Sequence, residues 1–167
     1  MRIYGLLLVA LLPMMGYANN ADAKFGKKDL VGSWTCVEYA KEDELAVSGK
    51  ALQTFYDDGT MFQLWDLVKY KSDNISTIEL LIIKNRWDYS PDKGIKIYDF
   101  DIQDNRIYNA NKVALSEEER NTARELLQTN YEKPRYTNQL TFMDKDNFMV
   151  KKLSNGIQYS RCKRVDS

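Results

Sequence analysis

From Leu30 onward, apolar and polar residues alternate with a period of two, and short clusters of Gly, Asn, Asp and Pro separate the runs. This is the pattern of antiparallel strands joined by tight turns. A first strand is predicted over Leu30 to Ala40 and, after the charged stretch Lys41 to Glu44, a second over Ala51 to Asp57. Asp57-Asp58-Gly59-Thr60 then supplies an Asp-Gly hairpin signal. The third strand, Met61 to Lys71, carries Phe62, Leu64, Val68 and Tyr70 on one side and Met61, Trp65 and Leu67 on the other, so both faces are partly apolar. A long fourth strand, Ile75 to Tyr89, has the unbroken apolar centre Leu80-Leu81-Ile82-Ile83, as expected of a strand covered on both sides. Pro91-Asp92-Lys93-Gly94 leads into Ile95 to Ile102, and Asp104-Asn105 into Arg106 to Val113.

The period then changes. Ser116 followed by Glu117, Glu118 and Glu119 reads as a capping box, which predicts a helix from Glu117 to about residue 131. Its apolar stripe of Ala123, Leu126, Leu127 and Tyr131 is narrow, which suits a helix on the outside of a sheet or plugging one end. Pro134 stops it, and three more strands follow: Tyr136 to Met143, Phe148 to Leu153 and Ile157 to Val165. The Asn155-Gly156 turn before the last is the strongest hairpin signal in the chain.

The N-terminus has a different character. Arg2 is followed by the apolar run Ile3 to Leu12 and by small residues at Gly16, Ala18, Ala21 and Ala23. This is the order of a secretory signal peptide, residues 1–18, with cleavage expected after Ala18 or Ala23. The run is too short to span a bilayer, so no integral membrane segment is expected after cleavage. The expected location is periplasmic or secreted, and residues 24–167 suit a single domain. With 24 basic and 24 acidic residues, net charge recruits no nucleic acid. In an exported chain the two cysteines, Cys36 and Cys162, are expected to form a disulfide, the alternative being two free thiols.

A Cys36–Cys162 bond would make the first and last strands neighbours. The expected fold is therefore all-β, an antiparallel closed or nearly closed barrel of about eight to nine strands with one helix before the last three. A two-sheet sandwich would satisfy the same bond. Leu30-Val31-Gly32-Ser33-Trp34 resembles the Gly-x-Trp opening of lipocalins and related calycin barrels, and Phe55 to Thr60 is similar to a hairpin wording common in bacterial lipocalin-like domains. The resemblance implies a barrel that binds small apolar ligands or protein partners. In that family the motif Trp lies under an Arg or Lys of the last strand, and pairing Cys36 with Cys162 places Trp34 opposite Arg164. The helix ahead of the last three strands departs from the family pattern, in which it follows the barrel.

The chain contains no histidine, which removes Ser-His and Cys-His catalysis, the usual zinc ligand and the axial ligand of a haem-binding barrel. No cofactor is expected. Asp99, Asp101 and Asp104 form the best acidic cluster; Asp99 and Asp101 are expected on the strand face of Ile95 and Ile97, where they could hold a hard cation or act as an acid and base pair. The blander reading is a solvated strand face ending in a turn. Among 11 Tyr, 6 Phe and 3 Trp, the candidates to line a ligand cavity are Trp65, Tyr70, Trp87, Tyr98 and Phe100. Asp66 and Glu79 interrupt apolar faces and could each serve as a polar anchor there. The expectation is a non-enzymatic exported protein that holds a small apolar or amphipathic ligand in its interior. The rival is a periplasmic inhibitor or immunity protein that binds a secreted hydrolase or toxin, with contact loops at Lys41 to Lys50, Asp88 to Lys93 and the segment before the helix.

Overall fold

The computed structural model describes residues 25–42, 44–72, 74–131, 135–136, 139–154 and 156–165. The signal-peptide reading of residues 1–18 and its cleavage sites lie outside the described residues, as does Pro134. The described residues form one nine-stranded antiparallel sheet. A single helical turn, α1 (Lys27–Leu30), is followed by β1 (Gly32–Glu42), β2 (Leu45–Phe55), β3 (Thr60–Lys71), β4 (Asn74–Ser90) and β5 (Gly94–Asn109). Helix α2 (Glu117–Tyr131) comes next, then β6 (Arg135–Tyr136), β7 (Gln139–Asp144), β8 (Asn147–Ser154) and β9 (Gly156–Arg164). The strand order is β6-β5-β4-β3-β2-β1-β9-β8-β7. Strand β7 comes near β5, but no ladder joins the two ends among the described residues, so the sheet is all-β and antiparallel without hydrogen-bonded closure. No helix among the described residues is long and apolar enough to cross a membrane.

The first and last strands are neighbours. Cys36 is bonded to Cys162 across 126 positions of sequence, and in the same ladder Trp34 stands opposite Arg164. The Arg164 guanidinium lies 4.1 Å from the centroid of the Trp34 ring. It also donates to Val31 O at 2.9 Å and Asp29 O at 2.6 Å, so the last strand clamps the α1 turn onto the first. A cation stacked on an indole contributes about 0.5–2 kcal/mol depending on desolvation.

Helix α2 starts where the capping box puts it. The Ser116 N–H donates to Glu119 Oε2 at 2.8 Å and the Glu119 N–H to Ser116 Oγ at 3.3 Å, satisfying amides that a helix start leaves without partners. The helix packs along β5: Asn105 Nδ2 donates to Arg120 O, and Arg124 and Gln128 donate to the carbonyls of Ile102 and Phe100. Leu127 packs against the cluster of Leu81, Ile83 and Phe100, so the helix covers part of the face on which those residues lie.

Two sequence expectations are corrected. Lys41 to Lys50 is not an open contact loop: β1 runs through Lys41 and Glu42, β2 resumes at Leu45, and Ala46 pairs with Lys41. The exposed charges at Lys41 and Glu44 disguise a tight hairpin. Likewise Ile95 to Ile102 and Arg106 to Val113 are not two strands. They are one strand, β5, whose register against β4 slips near Lys84–Arg86 and at Ile82–Ile83. Each slip inserts a residue and turns the following side chains over. The inward positions therefore run Ile95, then Phe100 and Ile102, then Asn105 and Ile107. At the first bulge Asp99 has φ of 53°, a left-handed conformation that aspartate tolerates better than most residues.

Candidate functional site

Cross-strand pairing arranges the buried face of the sheet in rows. One row joins Gly32, Phe55, Met61 and Asn85, and the next joins Arg164, Trp34, Gln53, Gln63 and Ile83. Then come Cys162, Cys36, Ala51, Trp65 and Leu81, followed by Ser160, Glu38, Gly49, Leu67 and Glu79. The first rows belong to a filled end. Trp34, Phe55, Trp87 and Phe148 are buried there, with Phe148 edge-on to Trp34 at 4.6 Å and Trp87 edge-on to Phe55 at 4.9 Å. Trp34 Nε1 donates to Leu30 O at 2.8 Å, and Trp87 Nε1 to Tyr56 O at 3.0 Å.

The later rows open into a cavity of about 230 Å³. Its apolar wall includes Val47, Leu67, Leu81 and Leu127, with Trp65 towards the filled end and Tyr39 stacked on Tyr159 at 5.2 Å towards the other. Its charged groups are Glu38, Glu79 and Lys69. Lys69 Nζ lies 2.7 Å from Glu79 Oε1, which also accepts from Thr77 Oγ1 at 3.2 Å. Glu38 accepts from Gln53 Nε2 at 3.1 Å and from the Ser160 hydroxyl. Burial pushes the Glu38 carboxyl above the usual range, outweighing the hydrogen bonds from Ser160 and Gln53 that would lower it. Two polar atoms of wall residues have no partner among the described residues: Glu79 Oε2, on a residue only 4% exposed, and Trp65 Nε1.

Gly49 keeps the row of the two carboxylates close-packed. A Cβ at that position would meet Asp66 O at 2.0 Å and Leu67 Cα at 2.9 Å, so no side chain fits between Glu38 and Leu67.

Of the five aromatic residues singled out in sequence, Trp65 lines this cavity. Trp87 belongs to the filled end, and Phe100 packs with Leu81 and Ile83. Tyr98 lies under Lys96 Nζ at 4.9 Å, on the face of β5 opposite Ile97, and Tyr70 lies past Lys69 at a register shift near the end of β3. Neither belongs to the cavity wall. The acidic trio does not converge. Asp99 and Asp101 are exposed and, because of the bulge, do not share the face of Ile95 and Ile97; Asp101 accepts from Gln103 Nε2, and Asp104 pairs with Arg106 at 3.4 Å. No group of acidic or sulfur ligands among the described residues could hold a metal ion. Glu38 is the functional candidate that sequence reasoning missed. Its signal was available, since period two from the buried Trp34 and Cys36 puts Glu38 on their face.

The opposite face of the sheet carries a smaller feature. Leu52, Leu64 and Ile82 stand side by side on β2, β3 and β4, all exposed, beside the exposed Phe62. The class of protein thus defined is a disulfide-joined antiparallel β protein with a small, charged internal cavity. No known protein family matches the chain, and none of the curated proteins is similar to it in sequence.

Proposed function

We propose that the chain is an exported, non-enzymatic binding protein of lipocalin-like, nearly closed barrel architecture that holds a small amphipathic molecule in its interior. The observation that carries the reading is the 230 Å³ cavity, with apolar and charged walls and two polar atoms left without partners. Pockets for drug-sized ligands span about 300–1,000 Å³, so the occupant is smaller than these and is not a long lipid chain. The charged wall also disfavours a purely apolar guest, because burying Glu79 against hydrocarbon leaves its second oxygen unsatisfied. The Trp34–Arg164 stack at the filled end supports the lipocalin-like reading, and the disulfide supports export to an oxidising compartment.

Native mass spectrometry of the protein recovered from its own exported fraction tests this. The expected result is a small-molecule adduct that is lost in Leu81→Trp, whose indole fills the cavity. A spectrum without an adduct but with a stoichiometric protein partner would favour a protein-binding module. The exposed row of Leu52, Leu64 and Ile82 is the observation on that side, although it lies on a strand face rather than on the loops expected of an inhibitor.

A further inference from the structure

Among the described residues, the cavity wall carries one buried carboxylate, Glu79, one half-buried carboxyl, Glu38, and two polar atoms without partners. Two carboxylates, Glu38 and Glu79, face one ammonium, Lys69, and that ammonium is engaged by Glu79 Oε1. Among the described residues, the partners of Glu38 are the neutral Gln53 and Ser160. Its row position is three strands from Glu79, on the order of 14 Å along the sheet. Two long side chains on a common concave face therefore reach one cavity from opposite sides.

From this arrangement, and resting on the ligand-binding reading above, we infer that the occupant is a small primary or secondary amine bound as its cation, with an apolar body the size of a single ring. The ammonium pairs with the Glu79 carboxylate, whose Oε2 has no partner among the described residues. Its remaining charge is balanced by Glu38 and by Trp65, an aromatic group that attracts cations. The body packs on Leu67, Leu81 and Leu127. Trp65 Nε1 is a donor without an acceptor, so guests that also carry a hydroxyl or carbonyl oxygen fit better than bare alkylamines. An anion of the same size faces two carboxylates and a lysine already paired, and is rejected by the same groups that hold the cation.

The experiment is a calorimetric titration of the disulfide-intact mature protein with three guests of nearly equal size: 2-phenylethylamine, 2-phenylethanol and phenylacetate. The amine is expected to bind at least tenfold tighter than the alcohol, and phenylacetate not to bind. In Glu79→Gln the amine should lose at least tenfold in affinity while the alcohol keeps its own. Glu38→Gln serves the same purpose by a second route if Glu79→Gln does not fold. Alcohol binding as tight as amine binding, tighter phenylacetate binding, or amine affinity unchanged in both variants overturns the amine assignment and leaves the cavity reading standing. Failure of all three guests to bind overturns both.

Discussion

The three tryptophans report how differently the two ends of the buried sheet face are built. Trp34 and Trp87, at the filled end, each give their indole N–H to a backbone carbonyl and pack edge-on against a phenylalanine. Trp65, between that end and the cavity, has no acceptor for its N–H. The filled end has its own polar pair, Gln63 and Asn85, bonded at 2.6 Å, with Asn85 Oδ1 left without a partner among the described residues, but the buried Glu79 and the half-buried Glu38 lie at the cavity end. The filled end is built mainly by aromatic packing, whereas the cavity end carries ionisable groups that packing alone does not require.

That contrast can be broken from the filled end first. Trp34→Ala is expected to cost about 3–5 kcal/mol in denaturant unfolding, since it opens a void and strands Arg164 without its ring. Trp65→Ala, beside space that already exists, should cost clearly less, and equal costs would erase the distinction between the two ends. Replacing both Cys36 and Cys162 with serine is expected to cost about 2–5 kcal/mol by the same assay, since the bond spans most of the described chain. Gly49→Ala should cost about 1–3 kcal/mol through the clash with Asp66 O and Leu67, and an unchanged denaturation midpoint would show that β2 and β3 can move apart there.

At the cavity end the sign should reverse. The pair Lys69→Met with Glu79→Leu is expected to unfold at the same or higher denaturant concentration than the natural protein, within about 1 kcal/mol because Lys69 is partly exposed. Lys69→Met alone should be destabilised, leaving Glu79 buried without its partner; a destabilised double variant would show that the ion pair is structural. The smallest effect concerns pH. The folded chain holds the Glu38 proton more tightly than the unfolded chain does. That contribution to stability is complete below the ordinary glutamate range and is lost as pH rises through the raised folded value. Glu38→Gln should lack this decline in unfolding measurements made as pH rises above the ordinary glutamate range, and identical pH slopes in the two proteins would remove Glu38 from the account.

Much of the fold was legible because some features leave local marks. The capping box at Ser116 set the start of α2, and two cysteines with period-two neighbours set the register of β1 against β9. Strand β5 was not legible. Its two bulges change which residues face inward without altering composition, and Asp104-Asn105 has turn chemistry whether or not the chain turns. The same slips moved Asp99 and Asp101 off the face that periodicity assigned them. Trp65 and Glu79 were visible as an aromatic and a charge on apolar strand faces. Lys69 and Glu38 were not, because whether a charged strand residue faces solvent or a cavity depends on which face the rest of the sheet covers.

The position of β1 has a consequence for the order in which the chain can fold. It lies in the middle of the sheet, yet one of its two neighbours is the next strand and the other is the last. A chain emerging N-terminus first, from a ribosome or through a membrane pore, holds β1 with one edge unpaired until β9 follows. The α1 turn waits as well, because the guanidinium that fixes it belongs to residue 164. Such long-range pairing slows folding, and here the delay lasts until β9 is in place. A form of the chain without β9 would expose the Cys36 thiol and the Trp34 ring together.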